Sequence, residues 1–190
     1  MPEPRPERQT QNRVVALFTD ASHPSGLGYR YLGNWQHRED NRPIEADILR
    51  QNLEARGYPA PHIKAALERL KAAADTTGTT LYEANLRTYQ LLRYGIRVKT
   101  DLKENYQTIH LIDWDHPEAN DFALAEEVTL KDASENSYER RPDLVLYLNG
   151  IAIAVIELKR SSVSVTDAVH QLITNQEEIF NKSFVIAQLG

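Results

Sequence analysis

The chain of 190 residues contains no cysteine. Disulfides and thiolate metal sites are therefore excluded. No apolar run reaches the ~18 residues that a membrane-spanning helix needs. The N-terminus, MPEPRPERQTQNR, is polar and proline-rich. It lacks the apolar core of a signal peptide, so export is not expected. No GxxxxGK[ST] phosphate loop occurs, and with it goes an ATP site of that kind. The glycines of SHPSGLGYRYLGNW, namely Gly26, Gly28 and Gly33, are not spaced as a dinucleotide fingerprint. That segment reads instead as a structured loop packing Tyr29, Tyr31 and Trp35. An excess of basic charge is also missing. The formal net charge of −5 argues against a free-standing nucleic-acid binder. It leaves room for local basic patches such as Arg140–Arg141 and Lys159–Arg160. These absences together suggest a cytoplasmic protein without a membrane partner.

What is present is ordinary globular composition, 41% hydrophobic and 26% charged. Residues 1–12 read as a disordered tail. Residues 13–190 read as a single domain, with a helical part over about 41–95 and a sheet and helix over about 96–190. The first helix is expected to start near Asn41–Pro43, to carry Ile44, Ile48, Leu49 and Leu53, and to end at Gly57. The second carries Ile63, Ala66, Leu67, Leu70 and Ala74 at helical spacing. The third opens at Thr80 with Glu83 three residues on, a capping box, and closes at Gly95. The period then changes to short β-rich runs: IRVKT, TIHLID, FALAEEVTL, LVLYL and IAIAVIEL. A helix follows in VTDAVHQLITNQEEIF, then a last strand in SFVIAQL. This order predicts an α/β (α+β) fold with a mixed central sheet flanked by helices. No internal repeat is visible.

The informative stretch is RPDLVLYLNGIAIAVIELKR, residues 141–160. IAIAVIEL is apolar at odd and even positions alike, which suits a central strand covered on both faces. Glu157 and Lys159 sit at its end, two apart and so on one face. Burying unpaired charge there is costly, so such groups are paired or hold a metal. A strict two-residue turn at Asn149–Gly150 would turn Asp143 away from Glu157. A three-residue loop, with Gly150 left-handed in a bulge, would put all three charges on one face. The bulged loop, or a compensating bulge elsewhere, is therefore expected. Two converging carboxylates suit a hard divalent cation, Mg²⁺ or Mn²⁺. An ammonium beside them completes the parts for phosphodiester hydrolysis. The plainer reading is that Asp143 caps a turn while Glu157 and Lys159 form a surface ion pair.

RPD…ELK resembles the PD-(D/E)xK nuclease motif. The longer phrases LGYRYLGNW, NRPIEADILRQNLEARGY, LYEANLRTYQLLRYGIRVK, HLIDWDHPEANDFALAEEVTL and NQEEIF resemble the N-terminal endonuclease domain of the R subunit of type I restriction–modification enzymes. The resemblance runs from about residue 27 to the end. It implies a restriction-endonuclease-like core. Asp143, Glu157 and the backbone carbonyl of Leu158 would be metal ligands, and Lys159 the catalytic lysine. The family's Gln-x₃-Tyr motif is met by Gln171, but Asn175 stands where the tyrosine belongs. Arg141, Arg160 and Asn175 are candidate DNA contacts.

Related nucleases often place an acid on an early helix. Glu83 is the positional candidate, although its capping box explains it as well. His110, His116 and His170 lack metal-ligand spacing. Of Glu126 and Glu127, strand alternation turns one inward at most. The implied activity is that of a type I site-specific deoxyribonuclease acting on unmodified double-stranded DNA, with methylase (M) and specificity (S) subunits as partners. In the family an ATP-driven translocase follows this domain, so ATP would be a cofactor only of motor domains that this sequence lacks. Two other readings stay open. One is a non-catalytic DNA-contact or subunit-docking module keeping the nuclease fold. The other is a stand-alone repair or resolvase nuclease of the same superfamily.

Overall fold

The first helix begins where the sequence suggested disorder. In the computed structural model, which describes residues 7–103, 105–131, 139–158 and 166, helix α1 spans Glu7–Thr19. Residues 7–12 are therefore helical, not tail. Proline and charge up to Pro6 hid the pattern that follows, in which Gln11, Val14, Val15 and Phe18 recur at helical spacing. Strand β1, Arg30–Asn34, lies where a loop was expected. It pairs in parallel with β4, with a register shift between Tyr31 and Gly33.

Three helices follow close to the expected bounds: α2 (Ala46–Ala55), α3 (Ala60–Ala74) and α4 (Leu81–Tyr94). Thr80 caps α4, and the reciprocal bonds with Glu83 form the anticipated box. Strand β2 (Ile96–Val98) pairs antiparallel with β3 (Gln107–Ile109). Gly95 joins α4 to this ribbon at φ 78°, and a Cβ there would lie 2.8 Å from the Thr108 methyl. Only glycine makes so tight a turn without strain. After a short 3-10 turn (Pro117–Ala119) come β4 (Phe122–Glu126), β5 (Leu130–Lys131), β6 (Glu139–Arg140), β7 (Leu144–Leu148) and β8 (Ile151–Ile156). Of the helix and strand expected after Lys159, only Thr166 is described, and it is helical.

The principal sheet has the order β1-β4-β7-β8. With β1–β4 parallel and β7–β8 a hairpin, it is mixed, as expected for this fold class. Among the described strands β4 and β7 are central and β8 is outermost. The prediction that IAIAVIEL is the central strand is thus not met among these residues. Ile151 and Ala152 are buried, but Ile153 to Leu158 are only partly covered. The better covered strands are β4 and β7, with Ala123, Leu124 and Ala125 in one and Leu144, Val145 and Tyr147 in the other at zero exposure.

The chain divides into two compact units. Among the described residues the first comprises those up to Asn41, Phe122–Leu146 and the chain from Ala154. The second comprises Arg42–Asp121 and Tyr147–Ile153. In the first, Tyr29 packs between Phe18 and Phe122 at ring separations of 5.2 and 5.3 Å. In the second, Leu49, Leu53, Ile63, Ala66 and Leu70 are fully buried or nearly so. Each large side chain among them contributes ~1.5–3 kcal/mol by leaving water.

The hairpin tip belongs to the second unit. Asn149 and Gly150 both have positive φ, 52° and 82°, the geometry of a two-residue type I′ turn. Asn149 is fully buried, and all its side-chain polar atoms are used. Its amide donates to the Leu111 carbonyl and to Asn120 Oδ1, both at 2.8 Å, and its Oδ1 accepts from the Asp121 N–H at 2.7 Å. Gly150 sits against the start of α2, where a Cβ would lie 2.8 Å from the Glu45 carbonyl.

Candidate functional site

The two-residue turn corrects the expected three-residue loop, and the register argument for a shared face falls with it. Something else brings Asp143 to the Glu157 end of the hairpin. β7 starts at Leu144 and β8 stops at Ile156, so Asp143 and Glu157 both lie just beyond the strands. Strand alternation does not bind residues there. The Leu158 N–H donates to Asp143 Oδ2 at 2.5 Å. The Asp143 carboxylate is thereby drawn onto the peptide that joins Glu157 to Leu158.

The main chain of Asp143 is held from the other side. Its carbonyl accepts from the Glu127 N–H at 2.9 Å and lies 3.5 Å from Gln11 Nε2. Glu127 makes this bond because it leaves β4 in a left-handed conformation, φ 50°, which few residues other than glycine adopt. That single backbone reversal has a second effect. Alternation alone would turn Glu126 and Glu127 to opposite sides, as expected from the sequence. Instead both carboxylates reach the same amide: Gln11 Nε2 donates to Glu126 Oε2 at 2.9 Å and to Glu127 Oε1 at 3.1 Å.

Cations surround this acid pair. Arg8 lies 2.9 Å from Glu126 Oε2, and Arg141 Nε lies 2.9 Å from Glu127 Oε2. The Tyr31 hydroxyl donates to Glu126 Oε1 at 2.6 Å. The Tyr31 ring is partly open to water, but its hydroxyl end meets a buried carboxylate. Desolvation first, and the bond to Glu126 second, push its pKa up to about 12. Glu126 thus accepts from three protein donors.

Of the residues singled out in the sequence, Asp143, Glu157 and Leu158 come together, all within the first unit. Arg141 is in the same unit, engaged by Glu127. Lys159, Arg160, Gln171, Asn175 and His170 lie outside the described residues. Glu83 is in the second unit, where Thr80 and Thr79 occupy its carboxylate and hold its pKa below the usual range. The capping role accounts for it fully. His110 and His116 also belong to the second unit. Among the described residues no three His, Asp or Glu groups gather as a metal cluster. Two carboxylates and a main-chain carbonyl at the hairpin end nonetheless match a hard cation in donor type, with the remaining positions left to water or substrate oxygen.

Gln11 and Arg8 were missed because α1 was missed. The signal was available: Arg8 and Gln11 are three apart, on one face of a helix whose apolar positions follow at once. Gln11 is 3% exposed, an unusual burial for glutamine that sequence pattern alone does not reveal.

A mixed sheet with an acid-rich hairpin end and flanking helices is in keeping with an α+β nuclease-like core. The chain belongs to the family described as "Type I restriction enzyme R protein N terminus", whose model matches residues 8–190. Among curated proteins it is similar to the type I restriction enzyme HindI endonuclease subunit of Haemophilus influenzae, 27% identical over 194 aligned positions, covering 93% of this chain and 18% of that protein. It is also similar to a Methanocaldococcus jannaschii protein provisionally named type I restriction enzyme MjaIXP endonuclease subunit. That match is 35% identical over 97 residues, covering 48% of this chain and 9% of the other. The chain thus spans less than a fifth of the length of either relative. No helix among the described residues is long and apolar enough to cross a membrane.

Proposed function

We propose that the first unit carries a Mg²⁺-dependent endonuclease site hydrolysing phosphodiester bonds of double-stranded DNA, as part of a type I restriction R subunit. The observation that carries the reading is the Asp143 carboxylate bonded to the Leu158 amide. It sets one carboxylate at the base of the other and at the segment leading into Lys159. Family membership and the names of the relatives support it.

In this reading Asp143, Glu157 and the Leu158 carbonyl hold the cation, with Mn²⁺ able to replace Mg²⁺. When bound, the ion polarises a phosphoryl oxygen and lowers the pKa of its water. Lys159 orients that water or stabilises charge on the phosphorus group as the bond to the leaving oxygen breaks. Gln11 and Glu127 keep the Asp143 backbone fixed, so the carboxylate needs no reorganisation. Gln171 assists from the following helix, and Arg141, Arg160 and Asn175 contact DNA. ATP-driven translocation, and the choice between unmodified foreign DNA and host DNA, would come from motor domains and from M and S subunits of a larger assembly.

Calorimetric Mn²⁺ titration and plasmid nicking test this with the present chain and Asp143→Asn. Binding and nicking that the substitution removes would support the site. Equal Mn²⁺ binding by both proteins would sink the assignment of Asp143. The other reading is a docking module without catalysis. In a full-length subunit, Lys159→Ala should abolish restriction but not translocation; unchanged restriction would favour the docking module.

A further inference from the structure

The second unit has one locally basic stretch, although its acids and bases balance overall. Between Leu86 and Glu104 five basic residues (Arg87, Arg93, Arg97, Lys99, Lys103) stand against two acids, Asp101 and Glu104, in a chain of net charge −5. Among the described residues no carboxylate forms an ion pair with Arg93, Arg97 or Lys99. These three cations are matched with rings instead. Arg93 lies 5.3 Å from the Trp114 ring centre, and Arg97 and Lys99 lie 5.0 and 5.8 Å from that of Tyr106. The rings remain open to water: Trp114 is 43% exposed and Tyr106 57%.

Arg97 stands opposite Thr108 across the β2–β3 ribbon. Tyr106 immediately precedes β3, and its ring is shared by Arg97 and Lys99. His110 immediately follows β3. His110 opens into a pocket of about 320 Å³ that Arg56, Arg93 and Trp114 also line. Trp114 is pinned there by its indole N–H, 3.1 Å from the Leu92 carbonyl. Two acids also line this pocket: Asp115, and Asp113, which is turned into its own loop, accepting the N–H groups of Asp115 and His116, and lies 3.9 Å from Arg56.

We infer that this face is a binding platform for single-stranded DNA, with bases stacking on Tyr106 and Trp114 and phosphates passing over Arg93, Arg97 and Lys99. Cations that no described carboxylate pairs, interleaved with open rings, match a polyanion that also offers flat apolar surfaces, and unstacked nucleic acid is that ligand. Duplex DNA presents phosphates but hides its base faces, so it cannot use the rings. The inference concerns a single-strand contact and does not require cleavage at Asp143, though the choice of DNA over RNA rests on the restriction reading.

Fluorescence anisotropy with a labelled oligothymidylate of about 20 nucleotides, in EDTA, reads the platform without any metal chemistry. Tyr106→Ala and Trp114→Ala should each weaken binding about tenfold, as expected for loss of one stacked base. Combined Arg93→Gln, Arg97→Gln and Lys99→Gln should flatten the salt dependence by roughly 2 in log–log slope. Tyr106 is exposed and outside the core, so Tyr106→Ala stays interpretable even if Trp114→Ala misfolds. Asp143→Asn should bind the oligonucleotide as the parent does. Three results would overturn the inference: wild-type affinity in Tyr106→Ala and the triple variant, tighter binding of duplex than of single strand, or loss of binding in Asp143→Asn. The first would leave the face to a protein partner. Nicking by a chain that fails to bind single strands would leave the endonuclease reading standing.

Discussion

The two units of this chain solve opposite electrostatic problems. In the first, acids gather: Glu126, Glu127, Asp143 and Glu157 lie at or next to strand ends. In the second, cations gather along α4 and the β2–β3 ribbon, spread over aromatic rings rather than acids. Glu126 is held inward by Gln11, Arg8 and Tyr31, and the Asp143 carboxylate accepts from the Leu158 main-chain amide. The cationic group faces water. Burial accounts for the contrast. A carboxylate at the edge of a core must have donors, because desolvation without them costs several kcal/mol. An exposed arginine over a ring incurs little such cost and keeps its N–H groups available. The net charge of −5 is thus unevenly shared: the first unit carries all of it, while the second holds as many bases as acids.

The largest test of that contrast is catalytic. Asp143→Asn should lower metal-dependent nicking by at least about 1,000-fold, since several kcal/mol of charge stabilisation would be lost. Oligonucleotide binding should be untouched. An equal loss of both would erase the division of labour.

Next comes the hairpin tip. Asn149→Ala removes three side-chain hydrogen bonds to the loop between Leu111 and Asp121 and places alanine at positive φ. A loss of roughly 3 kcal/mol is expected in chemical denaturation. A cost below about 1 kcal/mol would mean that water replaces the side chain easily.

A third substitution isolates the first unit. Gln11→Leu removes the donor shared by Glu126 and Glu127, and should cost ~2 kcal/mol. Hydrogen exchange should speed up in α1 and β4 while the amides of α3 and α4 keep their protection. Uniform acceleration throughout would show that the units do not open separately.

The smallest effect belongs to the cap of α4. Thr80→Ala should cost about 1 kcal/mol. The Glu83 carboxylate, bonded first by the Thr80 N–H and then by the Thr79 and Thr80 hydroxyls, titrates below its usual 4.5. Its contribution is therefore complete above that value and disappears as pH falls through the lower folded value. Glu83→Gln should flatten the acid limb of the stability profile. An unchanged limb would assign the acid sensitivity elsewhere.

Local rules were strong where chemistry is local. The cap at Thr80, the turn glycine at Gly95, the apolar stripes of α2 and α3 and the Asn149–Gly150 turn are all readable from neighbours a few residues apart. The acids at the hairpin end were readable too, because a charge beside a buried strand demands an explanation. The convergence of Glu126 and Glu127 was not. It depends on Gln11, more than 100 residues from Glu126, and on a left-handed Glu127 that reverses the alternation.

The sequence by itself determined α2, α3 and α4, the place of the hairpin turn, the family and the acids offered to a cation, since these follow from periodicity, backbone preference and residue type. Only the tertiary structure decided that α1 exists as a packed helix, that the turn has two residues rather than three, and that Asp143 meets Leu158 through a side-chain bond. It also decided that cations of α4 and β2 line up with Tyr106 and Trp114. These outcomes depend on which distant segments share desolvated space, a property of the assembled core that no window of sequence contains.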